Sequence, residues 1–252
     1  MSPAGARSPV VIRQPRSDAR VRLFCFPYAG AGAAMYRDWP VALPEDIEVA
    51  AVQLPGREWR IEEPLVTGLN ELAADALHSI RPHLDRPFAL LGASMGGTLV
   101  FELARQLRRA GGSQPCCLLP LAVGAPQIPD TDWLHDLPES ELISRLRAFG
   151  VMSDEFLAHP ELVELTLPIL RADCKAQETY AFRPEPPLDC AVWVYAGRQD
   201  ANVDLTRLEA WHKLTTAASA VHRLDGGHLF MDGCPPALMQ SIARRIHQSL
   251  PD

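Results

Sequence analysis

No run of about 18 apolar residues occurs in this sequence, which argues against a helical membrane span. Nor is there a basic excess. The 24 Lys plus Arg stand against 31 Asp plus Glu, a net charge of −7, and the bulk electrostatic footprint of a nucleic-acid binder is missing. The six cysteines, Cys25, Cys116, Cys117, Cys174, Cys190 and Cys234, contain no C-x-x-C pair. No His/Cys cluster has zinc-ligand spacing, so no metal is expected. Four of the cysteines sit in apolar runs and read as small buried hydrophobes in a reducing compartment. Internal repeats are lacking, and the one biased tract is R-P-E-P-P-L at Arg183–Leu188. Residues 1–20 carry four arginines and no apolar core of signal-peptide length. They are expected to be a tail that frays before the first strand, on a cytoplasmic protein.

What is present is an ordinary globular composition, 47% hydrophobic and 22% charged, with 23 prolines, roughly twice the usual ~5%. A length of 252 residues suits one α/β domain. Apolar runs of strand length occur at Val21–Pro27, Ile47–Leu54, Phe88–Ala93, Cys116–Val123, Ala191–Ala196 and Ala220–Leu224. Several are nearly continuous, as central parallel strands covered on both faces should be. Between them Leu69, Leu72, Ala73, Ala76, Leu77, Ile80 and Leu84 mark one helix face. Met95–Arg109, Leu205–Leu214 and Ala237–Leu250 also read as helical. The alternation predicts a mostly parallel sheet with helices on both faces. From about residue 131 to 182 the rhythm changes to helices alone. Asp136 and Glu139 could form a capping box there, with Pro138 in the first turn. The expectation is one domain over residues 21–252, with an all-helical insertion at about 131–182 acting as packing mass or as a lid.

Gly92-Ala93-Ser94-Met95-Gly96 matches G-x-S-x-G. The bare pattern arises by chance about 0.1 times in a chain of this length. Here it follows a strand run and opens an amphipathic helix, the setting of a nucleophile elbow. Its glycines would let strand and helix backbones approach where a side chain would clash. The alternative is a glycine-rich helix start with a capping serine. A serine hydroxyl needs a base. Of eight histidines, His228 alone falls in a loop after a strand, D-G-G-H-L-F, at the sheet edge expected for Ser94. The orienting acid should leave another strand end, and Asp200 in G-R-Q-D is chosen. Asp204 competes, although its place before a helix suits an N-cap. The order Ser94, Asp200, His228 is the α/β-hydrolase order. An oxyanion needs two backbone donors: the N–H of Met95, and the N–H of Ala29 in the loop Pro27-Tyr28-Ala29-Gly30-Ala31-Gly32.

F-P-Y-A-G-A-G, L-P-G-R-E at Leu54–Glu58, G-A-S-M-G-G, G-R-Q-D and D-G-G-H-L-F together resemble the type II thioesterases. These free-standing α/β-hydrolases accompany polyketide synthases and nonribosomal peptide synthetases, some making siderophores. The resemblance runs from about Arg22 to the C-terminus, and it departs at Ala93 and Tyr28, where the family often has histidine. It implies hydrolysis of acyl groups from the phosphopantetheine arm of acyl or peptidyl carrier proteins, with the triad on Ser94, Asp200 and His228 and with no dissociable cofactor. A chain that opens on Met and closes after its last helical pattern suits a free-standing enzyme, expected as a monomer. Arg57 and Arg60, or Arg145 and Arg147, are candidates for docking an acidic carrier, although each is also explained as a solvated arginine. A carboxylesterase or lipase of free small-molecule esters, an acyltransferase and a non-catalytic relative of the fold are the other readings.

Overall fold

The computed structural model describes residues 7–129 and 133–251. In chain order its elements are β1 (Val10–Val11), β2 (Val21–Phe26), α1 (Trp39–Ala42), β3 (Ile47–Val52), α2 (Leu69–Ile80), β4 (Phe88–Ala93), α3 (Met95–Arg109) and β5 (Cys117–Leu121). Then come α4 (Glu139–Ala148), α5 (Asp154–Leu157), α6 (Pro160–Glu178), β6 (Ala191–Gly197), α7 (Leu205–Glu209), β7 (Ser219–Leu224) and α8 (Pro236–Ser249). The seven strands form one sheet in the order β1-β3-β2-β4-β5-β6-β7. Only β1 is antiparallel.

Side-chain alternation along β2 divides the core between the two faces of the sheet. Phe24 and Phe26 point into a cluster with Leu72, Ala76, Leu99 and Leu103 of α2 and α3. Val21, Leu23 and Cys25 point into the other, with Trp39 of α1 and Leu238, Ile242 and Ile246 of α8. Because both faces are covered, β2 through β6 are buried at every position. That is the physical reason these strands read as continuous apolar runs rather than alternating ones.

The chain goes from β2 to its neighbour β3 on one side, then crosses to β4 on the other. The carboxyl ends of β2 and β4 therefore flank a reversal of strand order, where loops diverge and leave a crevice. Both sequence-predicted functional loops, 27–32 and the turn at Ser94, leave from these two ends.

Two local expectations change. The tail is tied down from Val10 onward: Val10 and Val11 pair with Val52 and Ala51, and the Arg16 guanidinium donates to the carbonyls of Pro44 and Ile47. The capping box does not form, because α4 begins at Glu139 with Pro138 as its N-cap residue and no side-chain cap. Proline already supplies a fixed φ at the entry, so Asp136 is left outside the turn. The expected start of the insertion at residue 131 lies outside the described residues. Beyond it α4, α5 and α6 stand between β5 and β6, around a small cluster of Leu142, Leu146, Met152, Leu167 and Leu170.

Candidate active site

Ser94 sits between the end of β4 and the first turn of α3, with φ 49° and ψ −117°. A non-glycine residue in this region is strained and persists only where its surroundings over-determine it. Here they do. The Ser94 N–H donates to the Leu121 carbonyl at 2.7 Å, and its own carbonyl accepts from Gly97 N–H at 2.8 Å. The flanking glycines leave room for the turn. A Cβ at Gly92 would lie 1.9 Å from the Gly96 carbonyl oxygen, and one at Gly96 would lie 2.5 Å from the Phe26 carbonyl oxygen. The G-x-S-x-G spacing is thus a steric requirement of packing α3 against β4 and β2.

His228 reaches Ser94 from the loop after β7, and Asp200 comes from the loop after β6. His228 Nε2 lies 3.1 Å from Ser94 Oγ, and His228 Nδ1 lies 2.9 Å from Asp200 Oδ2. With the proton on Nδ1, the imidazole donates to the carboxylate and its bare Nε2 accepts the serine hydroxyl. The Asp200 carboxylate is 1% exposed and the imidazole 12%, so this polar chain is largely screened from water. The second carboxylate oxygen, Oδ1, accepts from Asn202 N–H at 2.9 Å, which fixes the rotation of the acid. Asp204 is elsewhere: its Oδ1 accepts from Arg207 N–H at 2.8 Å as the N-cap of α7.

Both expected oxyanion donors border the same space. Among the described residues, no hydrogen bond takes the N–H of Met95 or of Ala29. Ser94, Met95, Ala29 and His228 open on a cavity of about 420 Å³. Its body wall includes Tyr28, Val123 and Arg207, and its other wall is the insertion, through Leu146, Phe149, Leu170 and Gln177. The ring of Phe149 lies 6.4 Å from that of His228, so α4 and its last residues roof the base. Burial, reinforced by the Asp232 carboxylate, pushes the Tyr28 phenol up to about 12. It remains a neutral hydroxyl in the chamber at ordinary pH.

The four arginines singled out in the sequence are not alike. Arg57 is no surface cation: its guanidinium is 3% exposed and paired with Asp173 of α6. Arg60 is held by Asp75 and Glu63. Arg147 pairs with Asp154 on the surface, while Arg145 lies over the Phe149 ring and borders the cavity. Of the other histidines, His222 lies in β7 against Arg245, and His135 is bound to Glu178 at the base of the insertion.

Sequence reasoning missed Asp173, Gln53 and Phe149. Two of them carried a signal. Asp173 falls on the buried stripe of α6, three residues after Leu170, and Gln53 extends the apolar run of β3. A polar residue on a buried face needs a partner, and both have one in the loops around the site.

Residues 21–250 match the thioesterase domain family. The chain is 39% identical to linear gramicidin dehydrogenase LgrE of Brevibacillus parabrevis, over 93% of this chain and 90% of that protein. It is 37% identical to gramicidin S biosynthesis protein GrsT of Aneurinibacillus migulanus, over 85% and 84%. Among solved structures it superposes with TM-score 0.87 on RedJ, a thioesterase from the prodiginine pathway of Streptomyces coelicolor, at 31% identity over 98% of this chain and 96% of that one. The word dehydrogenase in the first name has no counterpart in the site. After β2 the loop Gly30-Ala31-Gly32 has Met35 where a dinucleotide fingerprint has its third glycine, and it runs into a single 3₁₀ turn at Ala33–Tyr36 rather than a long helix. A strained serine between β4 and α3, within reach of a histidine and a buried aspartate at the reversal of strand order, agrees with the family match across nearly the whole chain: this protein belongs to the thioesterase domain family.

Proposed function

We propose that the protein hydrolyses acyl or aminoacyl thioesters from the phosphopantetheine arm of carrier proteins, clearing stalled groups from a modular polyketide or nonribosomal peptide synthase. The observation that carries the chemistry is the Ser94–His228–Asp200 chain at 3.1 and 2.9 Å, opening on a chamber beneath the insertion. The pathway assignment is supported by relatives such as GrsT and by thioesterase PikA5 of Streptomyces venezuelae, 32% identical over 86% of this chain and 78% of that protein.

In the first half-reaction Ser94 Oγ attacks the thioester carbonyl carbon as its proton passes to His228 Nε2. The carbonyl oxygen becomes an oxyanion that the N–H groups of Ala29 and Met95, both of residues lining the cavity, are assigned to receive. Collapse breaks the C–S bond. The pantetheine sulfur takes the proton from His228 and leaves, and the acyl group stays as an ester on Ser94. In the second half water enters, gives its proton to His228 and attacks the ester. Collapse returns the proton to Ser94 Oγ and frees the acid. Asp200 holds the imidazole in the required tautomer and stabilises the imidazolium. Each step uses groups of the chain, the substrate's own thiol and water, and the scheme calls on no metal or dissociable cofactor. The enzyme acts as a cytoplasmic monomer on this reading, and among the described residues no helix is long and apolar enough to cross a membrane.

The test is an acyl panel (acetyl, aminoacyl and longer chains) on a carrier protein, beside the same acyl groups as small oxygen esters, with Ser94→Ala as control. Faster turnover on the carrier, abolished in Ser94→Ala, is the expected result. Full activity of Ser94→Ala, or preference for free oxygen esters, overturns the proposal.

A further inference from the structure

Asp173 belongs to a buried ion pair that touches the loop carrying Ala29. Asp173 is 0% exposed and its partner Arg57 3% exposed. The two make a forked pair, Nη1 to Oδ2 at 2.5 Å and Nη2 to Oδ1 at 2.8 Å. They are 116 residues apart: Arg57 lies in the loop after β3, and Asp173 in the middle of α6. An ion pair this dry is weak evidence for stability, since well-packed apolar residues in its place are often neutral or better. Its third contact suggests another use. Asp173 Oδ2 also accepts the N–H of Gly30 at 2.8 Å, and Arg57 Nη1 donates to the Ala31 carbonyl at 3.3 Å.

Gly30 directly follows Ala29, whose N–H is assigned to the oxyanion. The Ala29 N–H lies in the peptide plane of the Tyr28 carbonyl, which accepts Ala31 N–H at 3.1 Å; pinning Gly30 N–H and the Ala31 carbonyl holds the turn that sets this plane. Gly30 has φ +83°, and a Cβ there would lie 2.6 Å from Leu170 Cγ. Leu170 and Asp173 are three residues apart on α6, on one face of the helix. That face grips the loop with an apolar contact and a charged one. On the far side, Gln53 Oε1 accepts Ala33 N–H at 2.9 Å and Gln53 Nε2 donates to the Arg57 carbonyl at 3.2 Å. The loop's one internal bond, Ala31 N–H to the Tyr28 carbonyl, is therefore joined by several from outside it.

We propose that Arg57 and Asp173 are positioning residues for the oxyanion hole: through Gly30 N–H and Ala31 C=O they hold the Ala29 N–H in line with Met95 N–H, which makes α6 a fixed part of the active site rather than a detachable cover. The proposal rests on the thioesterase reading above. A donor displaced by about 1 Å lowers rate by up to ~10², and a lost one by about 10²–10³. Asp173→Asn, which leaves the carbonyl oxygen but removes the charge that orients it, is expected to lower kcat about 10–100-fold with KM within about threefold. Affinity for a boronic acid, whose tetrahedral adduct on Ser94 places an oxygen in the hole, falls in parallel. Binding of acyl-carrier to the same variant on a Ser94→Ala background stays unchanged.

The double variant Arg57→Met/Asp173→Leu separates positioning from packing, because it removes the ions while filling their volume. Rates are taken per Ser94 site titrated with a fluorophosphonate, well below each variant's Tm. A double variant with parental Tm and still-depressed kcat and boronate affinity supports the proposal. Recovery of both with Tm overturns it, and so does failure of both variants to fold, which makes the pair a folding element only. Parental kcat in both, with Ser94→Ala inactive, removes the positioning role and leaves the thioesterase reading standing. Activity in Ser94→Ala removes the reading itself.

Discussion

Asp200→Asn tests the relay at the point where geometry, rather than residue type, makes the claim. The carboxylate uses both oxygens: Oδ2 on His228 Nδ1 and Oδ1 on Asn202 N–H. An asparagine of nearly the same shape keeps its carbonyl oxygen on the Asn202 N–H, because that donor has no alternative role. Its NH2 then faces His228 Nδ1. Two donors cannot share that contact, so the imidazole moves its proton to Nε2 and points it at Ser94 Oγ, 3.1 Å away. The serine loses its base while every atom stays near its place. In the Ser-His-Asp template, this substitution lowers kcat by ~10⁴, about 5.4 kcal/mol at 1.36 per decade. With the site 1% exposed at the acid, solvent offers little rescue, and an effect of that order is expected here. The assay is release of free carrier thiol, measured with a thiol reagent at saturating acyl-carrier, with Tm recorded in parallel. Asp204→Ala is the partner variant. It removes the N-cap bond to Arg207 N–H and should lower stability by about 1 kcal/mol, with kcat within about twofold of the parent. If Asp200→Asn retained more than a tenth of parental kcat while Asp204→Ala lost orders of magnitude, the acid would be Asp204 and the relay drawn above would be wrong.

Two further outcomes follow from packing and charge. Gly92→Ala places a Cβ 1.9 Å from a backbone oxygen that no side-chain rotation can relieve. A loss above about 4 kcal/mol, or about 8–16 °C in Tm for a chain of this size, is expected by thermal melting, and an unchanged Tm would show that the elbow relaxes freely. For Glu185, burial pushes the carboxyl up, but hydrogen bonds from Arg105 and Arg108 outweigh it and hold the group down to about 2. A depressed carboxyl contributes stability that is present above its unfolded value near 4.5 and is lost as pH falls through about 2. Denaturant titrations should therefore find Glu185→Gln less stable than the parent at pH 7, by an amount that shrinks below about pH 4.5. A difference independent of pH would assign the effect to packing.

All six expected runs are strands of the sheet; β2 through β6 were legible because burial on both faces leaves a one-dimensional trace, a nearly continuous apolar run, while the half-buried edge strand β7 left a weaker one. Ser94 was legible because its turn demands glycine at fixed offsets. His228 was legible as the histidine in a loop after a strand, and Asp200 as the carboxylate after β6 that an N-cap role does not explain. The pairing of Val10 with Val52 was not legible. A two-residue edge strand has too little sequence to show a period, and its stability comes from a partner 42 positions away. Arg57 was misjudged for a related reason. In sequence it is a charged residue in a loop, the usual description of a solvated one, and only a partner on α6 takes it out of water.

The sequence by itself determined which residues can do chemistry and the order of elements that carries them, because periodicity, turn sterics and side-chain reactivity are local properties. The tertiary structure alone decided which distant groups meet: that Asp173 grips the loop holding Ala29, that Phe149 roofs His228, and that a chamber of about 420 Å³ closes over Ser94. Those contacts depend on the crossing of strands and the seating of α6. Both are set by the total packing of the core, which no single stretch of chain contains.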